Sequence, residues 1–161
     1  MTDLHNHPVF ARGCCLLSGA TLPLAFSPFD YFLIGILSPA VLFFYLRDAN
    51  PKGAFIAGYL YGLGMFGAGV NWFHISINLF GGVNLAGALL LTFLLIAFLA
   101  LYPALVGLIA CRLFKNRNNT FLILILPSLW TLGEWCREWV LTGFPWLNLG
   151  NSQIDSFLAG L

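Results

Sequence analysis

Residues 85–111 contain no Asp, Glu, Lys or Arg, and most of them are leucine, alanine or phenylalanine. An α-helix rises about 1.5 Å per residue and the hydrocarbon core of a bilayer is about 30 Å thick, so about 20 apolar residues are enough to cross it. The segment exceeds that length without a charge. It therefore predicts a membrane-spanning helix.

The composition of the whole chain agrees with a lipid environment. Hydrophobic residues make up 60% of it and charged residues only 8%, whereas soluble domains have about 25% charged residues. The 7 Lys+Arg and 6 Asp+Glu are too few to cover a water-soluble surface. The net charge of +1 provides no basic patch for phosphates, so nucleic acid is not expected as a partner.

Apolar segments separated by turn-forming or charged residues divide the chain into about five predicted transmembrane helices. They cover residues 12–26, 30–46, 53–73, 85–113 and 120–139. The predicted fold is an all-α integral membrane protein, in which residues 1–161 form one transmembrane helical domain.

The distribution of basic residues predicts the orientation, because cytoplasmic loops are enriched in Lys and Arg. With five alternating helices, one side receives nearly all of the basic residues: Arg12, Arg47, Lys52, Arg112, Lys115 and Arg117. The other side receives only Arg137. The N-terminus is therefore predicted to be cytoplasmic, and the segment after the fifth helix is predicted to face the opposite compartment.

Small residues recur at helical spacing on the third and fourth predicted helices. They are Ala54, Gly58, Gly62 and Gly69 on the third, and Ala97, Ala100, Ala104 and Gly107 on the fourth. Small side chains allow helix backbones to approach closely in lipid, so these two helices are expected to pack tightly. Pro103 is expected to kink the fourth helix.

Charged residues near the end of the fifth predicted helix allow two interpretations. Glu134 and Arg137 are three residues apart and can pair on one helix face, which would make them a structural ion pair at an interfacial helix end. Alternatively, they face a polar cleft that accepts lipid headgroups. The tryptophans Trp130, Trp135 and Trp139 are typical of a membrane interface.

The segment that follows combines helix-breaking and aromatic residues. Gly143 and Pro145 exclude a continuous helix, while Phe144 and Trp146 are too apolar for a free loop. A re-entrant or interface-lying element fits this pattern. Non-helical backbone at membrane depth requires protein or a wet cavity around it, so a cleft is predicted near Phe144, Pro145 and Trp146.

No catalytic or metal site is expected within this sequence, and no cofactor. The His5 and His7 pair lacks further metal ligands, and His74 is expected to be a hydrogen-bonded interfacial residue. The cysteines Cys14, Cys15, Cys111 and Cys136 are interpreted as small buried apolar residues. Cys136 is the cysteine nearest to charged groups, but Glu134 and Arg137 point from other helix faces, and both lysines are predicted to lie across the membrane.

Several motifs resemble bacterial apolipoprotein N-acyltransferases, colinearly from about Ala20 to Leu161. They are Leu24-Ala25-Phe26-Ser27-Pro28-Phe29-Asp30, Gly67-Ala68-Gly69-Val70-Asn71-Trp72, Trp139-Val140-Leu141-Thr142-Gly143-Phe144-Pro145-Trp146-Leu147 and Ser152-Gln153-Ile154-Asp155. The resemblance implies a multi-pass protein of the bacterial inner membrane. Its reaction moves an acyl chain from a phospholipid donor to the N-terminal S-diacylglyceryl cysteine of an apolipoprotein acceptor, by way of a cysteine thioester.

The resemblance also implies parts that this sequence does not contain. The family fold has eight spanning helices and a nitrilase-like domain with a Glu-Lys-Cys triad, so no catalytic residue is assigned here. The sequence is expected to be a truncated membrane portion that is inactive alone. Its candidate lipid-substrate cleft comprises Phe144, Pro145, Trp146, Glu134 and Arg137. The alternatives are an inert membrane scaffold or lipid-binding module and, more weakly supported, a small transporter.

Overall fold

A computed structural model describes residues 8–154 and 156, and within them the chain forms helices and irregular connections without a β-strand. The α-helices are α1 (Pro8–Thr21), α2 (Phe32–Asp48), α3 (Pro51–Gly69), α4 (Phe73–Gly81), α5 (Leu85–Leu99), α6 (Leu101–Leu113) and α7 (Leu126–Arg137). The prediction of an all-helical chain is confirmed for these residues. His5, His7 and Asp155 lie outside the described part of the chain.

Shorter helical turns extend or follow the α-helices. The 3-10 turn Leu22–Ala25 continues α1, the π-helical turn Phe121–Ile125 leads into α7, and two 3-10 turns, Val140–Thr142 and Leu149–Gln153, lie in the segment after α7. Helix therefore occupies each of the five segments that the sequence predicted. The irregular backbone predicted after the fifth segment is also present.

Helix α4 was not predicted, and the third predicted segment was wrong at its C-terminal end. Helix α3 stops at Gly69 and α4 starts at Phe73, with an angle of 52° between them. The residues between them include neither proline nor glycine, so the sequence carries no strong break signal there. Helix α4 ends at Gly81, followed by Gly82 in the left-handed conformation, as is common at helix ends.

Within the part of the chain that the structure describes, one helix is long and apolar enough to cross a membrane by itself. Helices α5 and α6 together form the 29-residue helix Leu85–Leu113, and α3 with α4 would form a second such segment only if the bent pair is one span. Ala100, between α5 and α6, has helical backbone angles but forms a turn there. This irregularity lies one turn before Pro103, whose nitrogen has no hydrogen to donate to Leu99.

Helix α3 occupies the centre of the bundle and packs against α5–α6 through small residues. A Cβ atom built on Gly58 would lie 2.4 Å from the carbonyl oxygen of Pro103, and one built on Gly62 would lie 2.7 Å from the Cα of Ala100. A Cβ atom built on Gly107 would lie 2.9 Å from the carbonyl oxygen of Ala54. The predicted tight packing of these helices is confirmed.

The opposite side of α3 packs against α1 just as closely, a contact that was not predicted from the sequence. Cβ atoms on Gly19 of α1 and Gly64 of α3 would each lie 2.1 Å from a backbone oxygen of the other helix. A buried hydrogen-bond network joins α2 to both helices. Ser38 donates to the carbonyl oxygen of Ser18 at 2.7 Å and shares a 2.8 Å hydrogen bond with the hydroxyl of Tyr61.

Long-range contacts define the two ends of the bundle. At one end, Arg117 donates to the carbonyl oxygens of Leu46 at 3.2 Å and Ala49 at 2.5 Å, so the connection after α6 meets the connection between α2 and α3. At the other end, Trp72, between α3 and α4, contacts Trp146 in the segment after α7. The connections that carry the basic residues thus share one end.

Candidate functional site

The segment after α7 reverses direction and folds back over the end of the bundle. Gly143 has a φ of 82°, and a Cβ atom there would lie 2.1 Å from the carbonyl oxygen of Glu138. Only glycine fits this combination of backbone angle and close approach. The next residue, Phe144, donates its backbone N–H to the carbonyl oxygen of Arg137 at 3.0 Å, which fixes the start of the reversal.

Two aromatic side chains of this segment contact the junction between α3 and α4. The rings of Trp146 and Trp72 have centroids 5.5 Å apart, and those of Phe144 and Phe73 are 6.5 Å apart in a T-shaped arrangement. Trp146 remains 47% exposed and Trp72 42% exposed. The pair therefore forms an aromatic surface that is open to the surroundings of the protein.

Leu147 anchors the segment to α3. It adopts a left-handed backbone conformation with a φ of 60°, which costs about 1–2 kcal/mol for a residue with a Cβ atom. Its side chain is 7% exposed and occupies the space over Gly69, where a Cβ atom would come within 2.5 Å of the Leu147 Cδ1 atom. Burial of this side chain offsets the backbone strain and fixes the position of the neighbouring Trp146.

Glu134 and Arg137 lie beneath the segment and bond to its backbone and side chains. The Glu134 carboxylate accepts hydrogen bonds from the indole nitrogen of Trp130 and from the backbone N–H of Leu149, both at 2.9 Å. Arg137 donates from its Nη2 atom to the side-chain oxygen of Asn148. The same Asn148 donates from Nδ2 to the Glu138 carboxylate at 2.7 Å.

These contacts change the interpretation of the charged pair. The sequence predicted either a helix-end ion pair or a headgroup site, and in the structure both groups bond to the segment 143–149 that carries Trp146. Arg137 is only 2% exposed, so its guanidinium is not open to a ligand outside the protein. Asn148 was not singled out from the sequence, because its role depends on contacts with residues ten or more positions away.

A small cavity lies between α3, α6 and α7, next to Arg137. It has room for about one water molecule and is lined by Met65, Phe66, Tyr102, Pro103, Val106, Trp130, Gly133, Glu134 and Arg137. The guanidinium carbon of Arg137 lies 5.1 Å from the centre of the Phe66 ring, a cation–π distance that compensates part of its burial.

The far part of the segment reaches α2. Gln153 donates from Nε2 to the carbonyl oxygen of Phe32 at 3.0 Å, and a Cβ atom on Gly35 would lie 2.4 Å from the hydroxyl of Ser152. Together with its contacts to α3, α4 and α7, this attaches the segment to four helices. Irregular backbone at this end thus packs against helices on one side, whereas Pro145 and Trp146 are exposed on the other.

The cysteines and histidines do not form a reactive centre in the described part of the chain. Cys15 and Cys111 are buried and Cys14 is half-buried, but Cys136 is exposed, so its prediction as a buried residue was wrong: it lies on the outward face of α7. His74 shares a hydrogen bond with the carbonyl oxygen of Asn71, as expected. Among residues 8–154 and 156, no three His, Cys, Asp or Glu side chains are grouped as a metal site requires.

Comparisons with known proteins identify relatives over nearly the whole chain. It is 41% identical over 159 residues to an apolipoprotein N-acyltransferase of Vibrio cholerae serotype O1, covering 99% of the chain and 32% of the relative. The corresponding protein of Vibrio parahaemolyticus is 45% identical over 141 residues (88% and 28%), and that of Coxiella burnetii 44% identical over 146 residues (90% and 30%). The chain therefore spans about a third or less of these relatives.

The family model for the apolipoprotein N-acyltransferase N-terminal domain matches residues 18–161. The match includes all of the helices from α2 onwards and the segment that carries Phe144 and Trp146. Since it covers most of the chain, and since the relatives carry the same name, the chain belongs to the apolipoprotein N-acyltransferase family, as its N-terminal domain.

Proposed function

We propose that this chain is the membrane portion of an apolipoprotein N-acyltransferase of the bacterial inner membrane. In the proposed reaction, an acyl chain moves from a phospholipid to the N-terminal S-diacylglyceryl cysteine of an apolipoprotein. The chemistry is assigned to a nitrilase-like domain with a Glu-Lys-Cys triad, and the membrane portion presents the lipid substrates to it. The observation that carries the role of this chain is the half-exposed Trp72–Trp146 pair, held at the end of the bundle by a segment that contacts four helices.

The surface of the helices supports a lipid environment. Large apolar side chains on α5 are exposed to the surroundings of the protein, and they include Leu89, Leu90, Leu91, Phe93 and Leu94. An apolar surface that continuous fits hydrocarbon chains rather than water. The exposed Trp135 and Trp139 lie at the same end of the bundle as Trp146 and fit an aromatic belt at the interface.

Five spans with a cytoplasmic N-terminus are part of the proposal. The arrangement of the connections supports this number, because Arg117 brings two basic connections together at one end. The segment 143–149 then faces the periplasm, where lipidated acceptor proteins are located. The short helices α1 and α2 need local thinning of the bilayer or extension by interfacial residues, both of which are common.

Cysteine labelling tests this topology. Gly150→Cys and Asn116→Cys are introduced separately after the four native cysteines are replaced by alanine, and intact cells are treated with a membrane-impermeant maleimide. A side chain at 150 meets no atom within 4 Å, and Asn116 is exposed at the opposite end. We expect labelling at 150 and protection at 116 until the membrane is opened. Labelling of 116 alone would overturn both the orientation and the assigned role.

The role of Trp146 is tested in a chimera, in which this chain replaces the matching N-terminal segment of the Vibrio cholerae relative. Acyl transfer from phospholipid to a diacylglyceryl peptide is measured with Trp146→Ala and with the matched control Trp139→Ala. Trp139 is 72% exposed and lies outside the reversed segment. We expect the Trp146 variant to lower the rate at least tenfold and the control to change it less than threefold.

The same measurements separate the proposal from its alternative, an inert scaffold or lipid-binding module. A scaffold predicts that the chimera lacks acyl transfer although it reaches the membrane at normal levels. Equal rates for the native chimera and the Trp146 variant would instead remove Trp146 from the substrate cleft. No observation among the described residues specifically favours the transporter interpretation.

A further inference from the structure

We propose that Glu134, Arg137 and Asn148 form a positioning network that sets the place of Trp146, rather than a site that contacts lipid headgroups. The inference rests on the proposed function, because it assigns these residues a task in presenting substrate. It concerns a defined unit, the Trp146 loop, consisting of residues 143–149. The network acts on this loop from the C-terminal turn of α7.

The network attaches the loop on both sides of Trp146. Before it, the backbone N–H of Phe144 is bonded to the carbonyl oxygen of Arg137. After it, Asn148 accepts from the Arg137 side chain, and the backbone N–H of Leu149 donates to Glu134. With both sides fixed to the same helix turn, the loop has little freedom to move Trp146 away from Trp72.

Burial argues against a direct role in binding headgroups. A headgroup site needs a charged side chain that a ligand can reach, but Arg137 is buried under the loop and lies against the Phe66 ring. The Glu134 carboxylate already accepts two hydrogen bonds. The neighbouring cavity has room for about one water molecule. The charge of Arg137 therefore acts inside the protein, and the half-buried Glu134 carboxylate is bonded to the loop.

Asn148 allows the network to be broken and repaired by substitution. Its oxygen accepts from Arg137 and its Nδ2 donates to Glu138. Asn148→Asp keeps the acceptor for Arg137 but places a second carboxylate oxygen against Glu138, at an atom separation of 2.7 Å in the native protein. Adding Glu138→Gln supplies an N–H donor at that position and restores the hydrogen bond with its direction reversed. Glu138→Gln alone keeps an acceptor for Asn148 and is the matched control.

The position of Trp146 is read by circular dichroism of the chain in phospholipid nanodiscs. Two indoles 5.5 Å apart couple their electronic transitions and give paired far-ultraviolet bands of opposite sign. Subtracting the spectrum of the same protein with Trp146→Phe isolates the signal that depends on Trp146. We expect Asn148→Asp to lose at least half of it, and both the double variant and Glu138→Gln to retain most of it.

Acyl transfer by the chimera provides the second readout. Asn148→Asp should lower kcat/KM at least tenfold, and Glu138→Gln in the same protein should restore it to within threefold of the native value. If Asn148→Asp does not fold, Asn148→Ala removes both side-chain hydrogen bonds without adding a charge and is expected to show the same loss of the coupled signal.

The outcomes keep the two proposals apart. An unchanged coupled signal in the folded Asn148 variants, or a double variant that recovers neither signal nor rate, would overturn the positioning role. A lost and restored signal in a chimera whose acyl transfer does not respond to Trp146→Ala would support the positioning network while contradicting the substrate cleft.

Discussion

Gly62 of α3 lies so close to Ala100 that a Cβ atom added to the glycine would be 2.7 Å from the Cα atom of Ala100. Backbone contact of this kind leaves no room for a methyl group, and Gly58 has the same relationship with Pro103. In lipid, helices gain little from burying apolar surface, so the dispersion energy of such close packing contributes much of their association.

Gly62→Ala is therefore expected to separate α3 from α5–α6. Inserting a methyl group into a close-packed contact costs about 1–3 kcal/mol of the free energy of unfolding, measured by unfolding in mixed detergent micelles. Gly67→Ala on the same helix is the control, because its Cβ atom would meet nothing within 4 Å. Equal stability of the two variants would show that the contact is loose enough to accept a methyl group.

The buried hydroxyl network between α1, α2 and α3 predicts a graded loss of stability. Ser38 donates to the Ser18 carbonyl oxygen, so the proton in its bond with Tyr61 comes from the tyrosine. Tyr61→Phe removes that single bond and should cost about 0.6 kcal/mol, the average for such bonds between membrane helices. Ser38→Ala also leaves the Tyr61 hydroxyl buried and unpaired, which should cost about 1–3 kcal/mol.

Unfolding by sodium dodecyl sulfate measures this series, with Tyr59→Phe as the control on the same helix. The Tyr59 ring stacks on Phe55, a contact that the change to phenylalanine preserves. A larger effect for Tyr61→Phe than for Ser38→Ala would contradict the assigned direction of the hydrogen bonds.

The chain reversal at Gly143 predicts that one methyl group added at this position displaces the Trp146 loop. Gly143→Ala combines an unfavourable backbone angle, at about 1–3 kcal/mol, with a contact to the Glu138 carbonyl oxygen. The coupled Trp72–Trp146 signal should therefore fall, whereas Gly150→Ala, whose Cβ atom meets nothing within 4 Å, should preserve it. A full signal from both variants would mean that the loop does not depend on this reversal.

The helices and the packing of α3 against α5–α6 were predictable because their signals are local. Apolar stretches predicted the five helical segments, and the recurrence of Gly58, Gly62 and Ala100 predicted this packing, whereas the equally close contact between α1 and α3 was not predicted. The ends of the helices were less predictable: α4 follows a break at residues 70–72 that contains no proline or glycine. The capping residues Asn50 and Asn84, which accept from Gly53 and Gly87, were recognisable in type but were not identified as caps.

The candidate site was predictable in place but not in connectivity. Phe144 and Trp146 could be selected from the sequence because aromatic residues beside Gly143 and Pro145 are unusual in a free loop. Leu149 and Asn148 could not be identified as partners of Glu134 and Arg137, because they come close to them only after the chain reverses. From spacing alone, Glu134 and Arg137 are expected to pair with each other, because they are three residues apart on one helix. In the structure, both side chains instead bond to the Trp146 loop.

The hydrogen bonds of Arg117 lie at the end of the bundle opposite Trp146. They predict that stability depends on the shape of the Arg117 guanidinium and not only on its charge. Its Nη1 atom donates to the carbonyl oxygens of Leu46 and Ala49, at the end of α2, and its Nη2 and Nε atoms donate at 3.3 and 3.2 Å to those of Cys111 and Phe114, at the end of α6. These carbonyls have no partner within their own helices. One side chain therefore caps the C-terminal ends of both α2 and α6.

Arg117→Lys keeps the charge but should lose about 1.5–3 kcal/mol of the free energy of unfolding, the usual value for hydrogen bonds to a charged group. The ammonium is compact and lacks the planar fork that reaches both helix ends at once. Lys115→Gln, at an exposed position in the same connection, removes a charge and should change stability by less than about 0.5 kcal/mol. Arg117→Lys preserves the charge, whereas Lys115→Gln removes one. A larger loss of stability for Lys115→Gln than for Arg117→Lys would show that charge matters more than hydrogen-bonding geometry, and the proposed capping of α2 and α6 by Arg117 would be wrong.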